Sequence, residues 1–266
     1  MTSTKSIIKS FIFTIAFSSF SFFAHAETVL TVAFEDQVQF PYYMGEGATV
    51  LTAKPGAAVE LIQKIESKIP GVKVVFQRCP VKRCLNDLET GAIDGLFNIS
   101  FQEARLTMAA YPWKDGSVDP ERRLTTLNYS FYKPKGSDFS WDGKNVSGTV
   151  ETIGATDGYS IGSDLEKMGI TVSPATSSEG NLKKLIAGRV SAIAMQEAKG
   201  DYLISQNQAE YGNIEKVETP IKSKPYYLVL SNQFKAKDAT MAEKIWDAVG
   251  ELRKEQLDAL IATYKN

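Results

Sequence analysis

Gly158-Tyr159-Ser160-Ile161-Gly162 matches G-x-S-x-G, the pattern in which a serine on a strand-to-helix turn attacks a carbonyl. That chemistry needs a histidine base, and the one histidine of the chain, His25, lies in a segment expected to be cleaved away. The stretch reads better as a glycine-permitted turn that aims the Ser160 hydroxyl and backbone N–H groups at an anion or a carbonyl. No G-x-x-x-x-G-K phosphate loop is present. Carboxylates could still do acid–base work, with Glu35, Asp36 and Glu103 as candidates, but no spacing pairs two of them and solvation is their default role. Arg105 stands a few residues beyond an apolar run. There a guanidinium either makes two parallel bonds to a ligand carboxylate or sits in a first helical turn beside Glu103 and solvent, and spacing alone supports both equally. Among the aromatics, Phe40, Tyr42, Tyr43, Tyr111 and Trp113 could stack a ligand or cover core edges, and most are expected to do the latter.

These residues need elements to position them. The run Gly91 to Arg105, GAIDGLFNISFQEAR, carries most of the expected site. Leu85, Leu88 and Gly91 fit an apolar helical face closed by a glycine, IDGLF reads as a short buried strand, and Asn98, Ser100 and Arg105 follow it. In open α/β sheets, ligands bind outside the carboxyl ends of strands, where that geometry delivers these three residues. The same phrase returns 97 residues later as Leu182, Leu185 and Gly188, followed by Val190-Ser191-Ala192 and a strand that runs into Gln196. Two such units predict two similar α/β lobes, each bringing a polar group to one cleft.

The first 26 residues read as a secretory signal peptide: Lys5 and Lys9, an apolar run from Phe11 to Phe23, then Ala24-His25-Ala26 before Glu27. Without that leader the formal charge moves from −1 to about −3, and no basic footprint for nucleic acid appears. The chain's two cysteines, Cys79 and Cys84, are expected to form a small-loop disulfide in an oxidising compartment; the rival, a reduced metal-binding pair, lacks a histidine or further cysteine to complete a zinc site. No metal or cofactor is expected, and a monomer is.

In chain order, TVLTVAF is a first strand, EDQVQFPYYMGEGATV an aromatic loop that could wall a ligand, AAVELIQKIESKI a helix and VKVVFQ a strand. An extended run from Leu124 to Tyr132 and a strand near Tyr226 are the expected crossings between lobes. Helices over 158–168, 179–187 and 197–205 alternate with strands TVETIGA, ITVSPA and SAIAM. The chain closes with Asp238 as N-cap and a pair of helices, 240–253 and 255–264.

Ile93-Asp94-Gly95 followed by Ile99-Ser100-Phe101-Gln102-Glu103-Ala104-Arg105 resembles the strand and I-S-x-T-x-x-R turn of the bacterial extracellular solute-binding proteins of the polar amino-acid type (family 3), partners of ABC importers. Gly158-Tyr159-Ser160 is similar to the second-lobe G-S/T turn of that family, and Gly188-Arg189-Val190-Ser191-Ala192 with Gln196 to its G-R-x-D-A…D segment. The resemblance spans roughly 28–265. It implies an α/β, two-lobed type II periplasmic-binding-protein fold, each lobe a sheet flanked by helices, with two crossover strands. Lobe one would comprise 27–126 and 226–266, and lobe two 127–225. It further implies a periplasmic, non-enzymatic binder of a small carboxylate-bearing or amino-acid-like molecule. Arg105 would hold the carboxylate and Ser100 add a hydrogen bond, while Asn98, Ser160, Gln196, Glu35, Tyr42 and Trp113 complete the wall. Its partner would be an ABC permease or a membrane sensor, and a lyase or dehydratase on the same scaffold is the enzymatic alternative. Three positions depart from the pattern. Gln196 stands where the family has an aspartate for the ligand's ammonium, forfeiting a charge-assisted bond of ~1.5–3 kcal/mol, and Gln102 replaces the threonine. Val81 replaces a first-lobe aromatic. A zwitterionic amino acid is therefore disfavoured.

Overall fold

The computed structural model describes residues 27–265, so the expected signal peptide over 1–26 lies outside the described residues. From Glu27 the chain runs β1 (Thr28–Glu35), α1 (Ala57–Gln63), α2 (Ile65–Lys68), β2 (Val72–Cys79), α3 (Val81–Glu89), β3 (Gly95–Ser100), a 3-10 turn (Glu103–Thr107) and β4 (Ala109–Ala110). A hairpin of β5 (Trp113–Lys114) and β6 (Ser117–Val118) precedes the long crossing strand β7 (Thr125–Pro134). Then come the small pair β8 (Ser140–Trp141) and β9 (Val146–Ser147), β10 (Ile153–Thr156), α4 (Ser160–Lys167), β11 (Val172–Ala175), α5 (Ser178–Ile186), β12 (Ala192–Gln196), α6 (Glu197–Gln206), α7 (Gln208–Tyr211) and β13 (Ile214–Lys216). The return crossing β14 (Lys222–Ser231), α8 (Asn232–Lys237) and α9 (Ala239–Lys265) finish the fold.

Strand order makes the internal repeat visible. In lobe one the sheet runs β2-β1-β3-β14, with β4 on the far side of β14; in lobe two it runs β11-β10-β12-β7, with β13 beyond β7. Each sheet is thus parallel through its own first three strands and takes an antiparallel crossing strand from the chain's passage between lobes. The crossings also pair with each other, from Lys222 opposite Tyr129 to Tyr226 opposite Thr125, which joins the halves into one sheet. The crossing expected near Tyr226 therefore begins earlier, with Lys222–Lys224 inside the strand, because their backbone groups find partners on β7.

Each lobe has its own core. Lobe one packs Phe34, Phe97 and Tyr43 under α1 and α9, with the buried Trp246 donating its indole N–H to the Leu228 carbonyl at 2.9 Å. In lobe two Phe131, Phe139 and Trp141 meet edge-on beneath α4. The expected helix pair at the C-terminus is instead the single helix α9; no glycine or proline separates residues 253 and 255, so the backbone has no reason to break there. Asp238 does cap it, its carboxylate accepting from the Met241 N–H at 2.8 Å. Cys79 and Cys84 are joined by a disulfide that ties the end of β2 to α3.

Candidate functional site

The two lobes meet over the carboxyl ends of β1, β3, β10 and β12, and a cavity of about 30 Å³ lies between them. At the ~10–15 Å³ that each water requires, it has room for two or three waters. Ser100, at the end of β3, donates its hydroxyl to the Ser160 Oγ of the other lobe at 2.8 Å. Ser160 opens α4 just after Gly158, whose φ of 79° only glycine adopts readily and where a Cβ would crowd Val81 at 3.3 Å. The glycine-permitted turn read from the sequence is what presents Ser160 to the cleft.

Arg105 faces inward from its 3-10 turn. It is 7% exposed, and its Nη1 donates to the Ser100 carbonyl and its Nη2 across the cleft to the Gly158 carbonyl, both at 2.8 Å. No carboxylate of the described residues pairs with it, Glu103 included, so the reading as a solvated arginine beside Glu103 does not hold. Beside it Lys224 of β14 donates to the Ser160 Oγ at 2.7 Å and is ion-paired with Asp164. Burial pulls the Lys224 ammonium below its ordinary range despite that partner.

Glu35 ends β1 on the opposite wall, almost fully buried. It accepts from Tyr43 of its own lobe at 3.0 Å, from Tyr159 of the other at 2.6 and 2.8 Å, and from Lys199 at 3.2 Å. Burial first, and the Glu35 charge second, push the phenols of Tyr43 and Tyr159 well above the usual tyrosine range. Gln196 closes the floor: its amide donates to the Tyr226 hydroxyl at 2.8 Å and the Tyr129 hydroxyl at 3.3 Å, while its carbonyl oxygen is buried without a partner. Asn98 lines the cavity with a backbone φ of 64°, its amide reaching Tyr43 at 3.4 Å.

Arg105, Ser100, Asn98, Ser160, Gln196 and Glu35 thus come together on one cavity. Two expected members do not. Trp113 is 38% exposed on the β5–β6 hairpin, packed edge-on against Phe101 on the outer face, because the hairpin carries it away from the strand ends. Tyr42 packs against both lobe cores beneath the cleft; its neighbour Tyr43 takes the place at the wall. Tyr43 is among the aromatics weighed for stacking, but sequence reading does not single out Tyr129, Tyr159, Tyr226, Lys199 and Lys224 as site residues. Tyr159, between Gly158 and Ser160, and Lys199, three residues after Gln196, stand close to residues that the sequence does single out.

No protein-family model and no curated protein sequence matches the chain. Solved structures match it closely in fold. A histidine kinase sensor domain similar to periplasmic binding proteins superposes with a TM-score of 0.71 at 19% identity, covering 90% of this chain and 96% of that one. The substrate-binding protein of an ABC uptake transporter from Streptococcus pneumoniae, with bound histidine, gives 0.65 at 17% identity over 88% and 91%. An ancestral amino acid-binding protein, a precursor of cyclohexadienyl dehydratase, gives 0.64 at 12% identity over 90% and 95%. The chain has the two-lobed type II periplasmic-binding-protein fold, and its structural neighbours include polar amino-acid-binding proteins of ABC transporters.

Proposed function

We propose that the chain is an exported solute-binding protein, with lobe one over 27–126 and 226–266 and lobe two over 127–225, that captures a small carboxylate-bearing molecule in the cleft. Arg105 carries this reading. A buried guanidinium with no opposite charge beside it is costly unless something anionic compensates it. A ligand carboxylate entering between Arg105 and Gly158 would supply that charge and accept two parallel bonds, with the Ser100 and Ser160 hydroxyls at hand. Any guest larger than a few waters must separate Arg105 from the Gly158 carbonyl, so binding is coupled to movement of the lobes.

Binding suits the wall better than catalysis. Among the described residues Glu35 is the one carboxylate lining the cavity, and three donors already occupy its oxygens, which leaves it poorly placed to take a substrate proton. No helix of the described residues is long and apolar enough to cross a membrane. Delivery to an ABC permease in the periplasm is the first role; reporting to a membrane receptor is the second, favoured by the likeness to the kinase sensor domain. Loss of labelled-ligand uptake on deletion of the gene identifies the first, and a lost transcriptional response with normal uptake the second.

Calorimetry with small carboxylates on wild type and Arg105→Ala tests the site. The variant is expected to lose at least about ten- to a hundredfold in affinity, the worth of a charge-assisted bond. Unchanged affinity would remove Arg105 from the site.

A further inference from the structure

The charges around the cavity do not cancel. Glu35 and Arg105 are the charged side chains that line it. Glu35 is matched by Lys199 at 3.2 Å, both buried, and the adjoining Lys224 by Asp164. At the cleft mouth Lys82 meets Asp157 at 2.6 Å. Behind the wall Arg78 donates to the carbonyls of Glu35, Met44, Thr49 and Gly45, with the charges of Glu46 and Asp36 facing it. Arg105 is left with one positive charge unmatched among the described residues.

A zwitterion brings its own ammonium, so it leaves that excess unchanged and adds a cation that needs an anionic acceptor. Glu35 is not free to be that acceptor. Its oxygens already take Tyr43, Tyr159 and Lys199, and surrendering them would strand the Lys199 ammonium at 2% exposure. Gln196 and Asn98 are the other lining groups without a full set of partners, each with an orphaned side-chain carbonyl oxygen. Both amides are neutral; Gln196 is the more deeply buried, at 3% exposure, and exchanging its O and N by a flip creates no charge. A hydroxyl or carboxamide group satisfies either orientation and an oxo group the flipped one, in which the amide N–H donates to it; an ammonium gains only a neutral dipole.

Resting on the solute-binding reading, we propose that the ligand is a small carboxylate of net charge −1 whose second polar group is neutral and is held by Gln196. The buried Glu35–Lys199 pair, complete in itself, discriminates against zwitterionic amino acids.

The test is calorimetry on the purified protein with the standard amino acids and, for each, the matching 2-hydroxy and 2-oxo acid, which differ only in the group offered to Gln196. A hydroxy or oxo acid is expected to bind about ten- to a hundredfold more tightly than its amino acid, the range of a lost charge-assisted bond. Gln196→Asp, which places a countercharge beside the same tyrosines, is expected to invert that preference, and its melting curve reports whether it folds. Amino acids binding as tightly as their partners, or more so, would overturn this inference and leave the solute-binding reading standing. If no member of any series binds, both fall together.

Discussion

Glu35 joins the lobes through side chains that a residue-by-residue reading does not connect. Tyr43 reaches it from eight residues downstream, whereas Tyr159 and Lys199 arrive from the opposite lobe. The pair with Lys199 is a closure contact, because opening the cleft would return both charges to water. Removing one partner of a fully buried pair costs ~3–5 kcal/mol. Lys199→Met is expected to express that loss mainly as opening: small-angle scattering should show a larger radius of gyration, with little change in the urea midpoint. A midpoint that falls by the full amount at constant radius would make the pair part of the fold's stability instead. Arg105 belongs to the same scale, since its bond to Gly158 is the contact that a ligand carboxylate must replace.

At the scale of elements, the two copies of the helix-turn-strand unit obey one set of rules. Gly91 donates its N–H to the Leu88 carbonyl at φ 75°, and Gly188 to the Leu185 carbonyl at φ 66°, both ending their helices in the left-handed region. The next residues tighten the cap, Ala92 donating to Asp87 and Arg189 to Lys184. Asp94 and Ser191, equivalent in the repeat, then hold β1 and the segment leading into β10, accepting from the Thr31 and Glu151 N–H groups at 2.8 and 3.1 Å. An alanine forced into this conformation costs roughly 1 kcal/mol. Gly188→Ala, where a Cβ would meet nothing within 4 Å, should show that backbone cost alone in urea unfolding. Gly91→Ala should cost somewhat more, since its Cβ would press on the Gln233 side chain at 3.1 Å. Equal stability of Gly188→Ala and wild type would show that the cap does not hold its helix end.

Across the whole molecule the crossing strands β7 and β14 join the lobes and form the cleft floor at once, because Tyr129 and Tyr226 stand on them and hydrogen-bond at 2.9 Å beneath Gln196. The strands that connect the lobes thus also carry the floor of the site. Burial raises the phenols of Tyr43, Tyr129, Tyr159 and Tyr226 above their ordinary value near 10. The sign follows from proton counts. Below pH 10 these phenols are neutral in both folded and unfolded chains; above it the unfolded chain releases protons that the fold retains, so stability falls as pH rises. Thermal melts should show a Tm that drops steeply above about pH 10. Phenolate absorbance from the buried tyrosines should appear only with unfolding; its appearance in the native protein would place them in contact with water.

Periodicity, the helix-ending glycines and the repeated phrase were enough to predict paired lobes, and the run through the end of β3 and just past it was enough to bring Asn98, Ser100 and Arg105 to a strand end. Those features act over a few residues, so they can be read along the chain. The partners of Glu35, the floor under Gln196 and the acceptors of Arg105 are joined at separations of 30 to 164 residues, apart from local contacts such as Tyr43 and Ser100. No local pattern encodes such meetings. They follow from where the strands lie in the sheet and how one lobe faces the other, and that packing decided that Tyr43 rather than Tyr42 lines the wall and that Trp113 stands outside it.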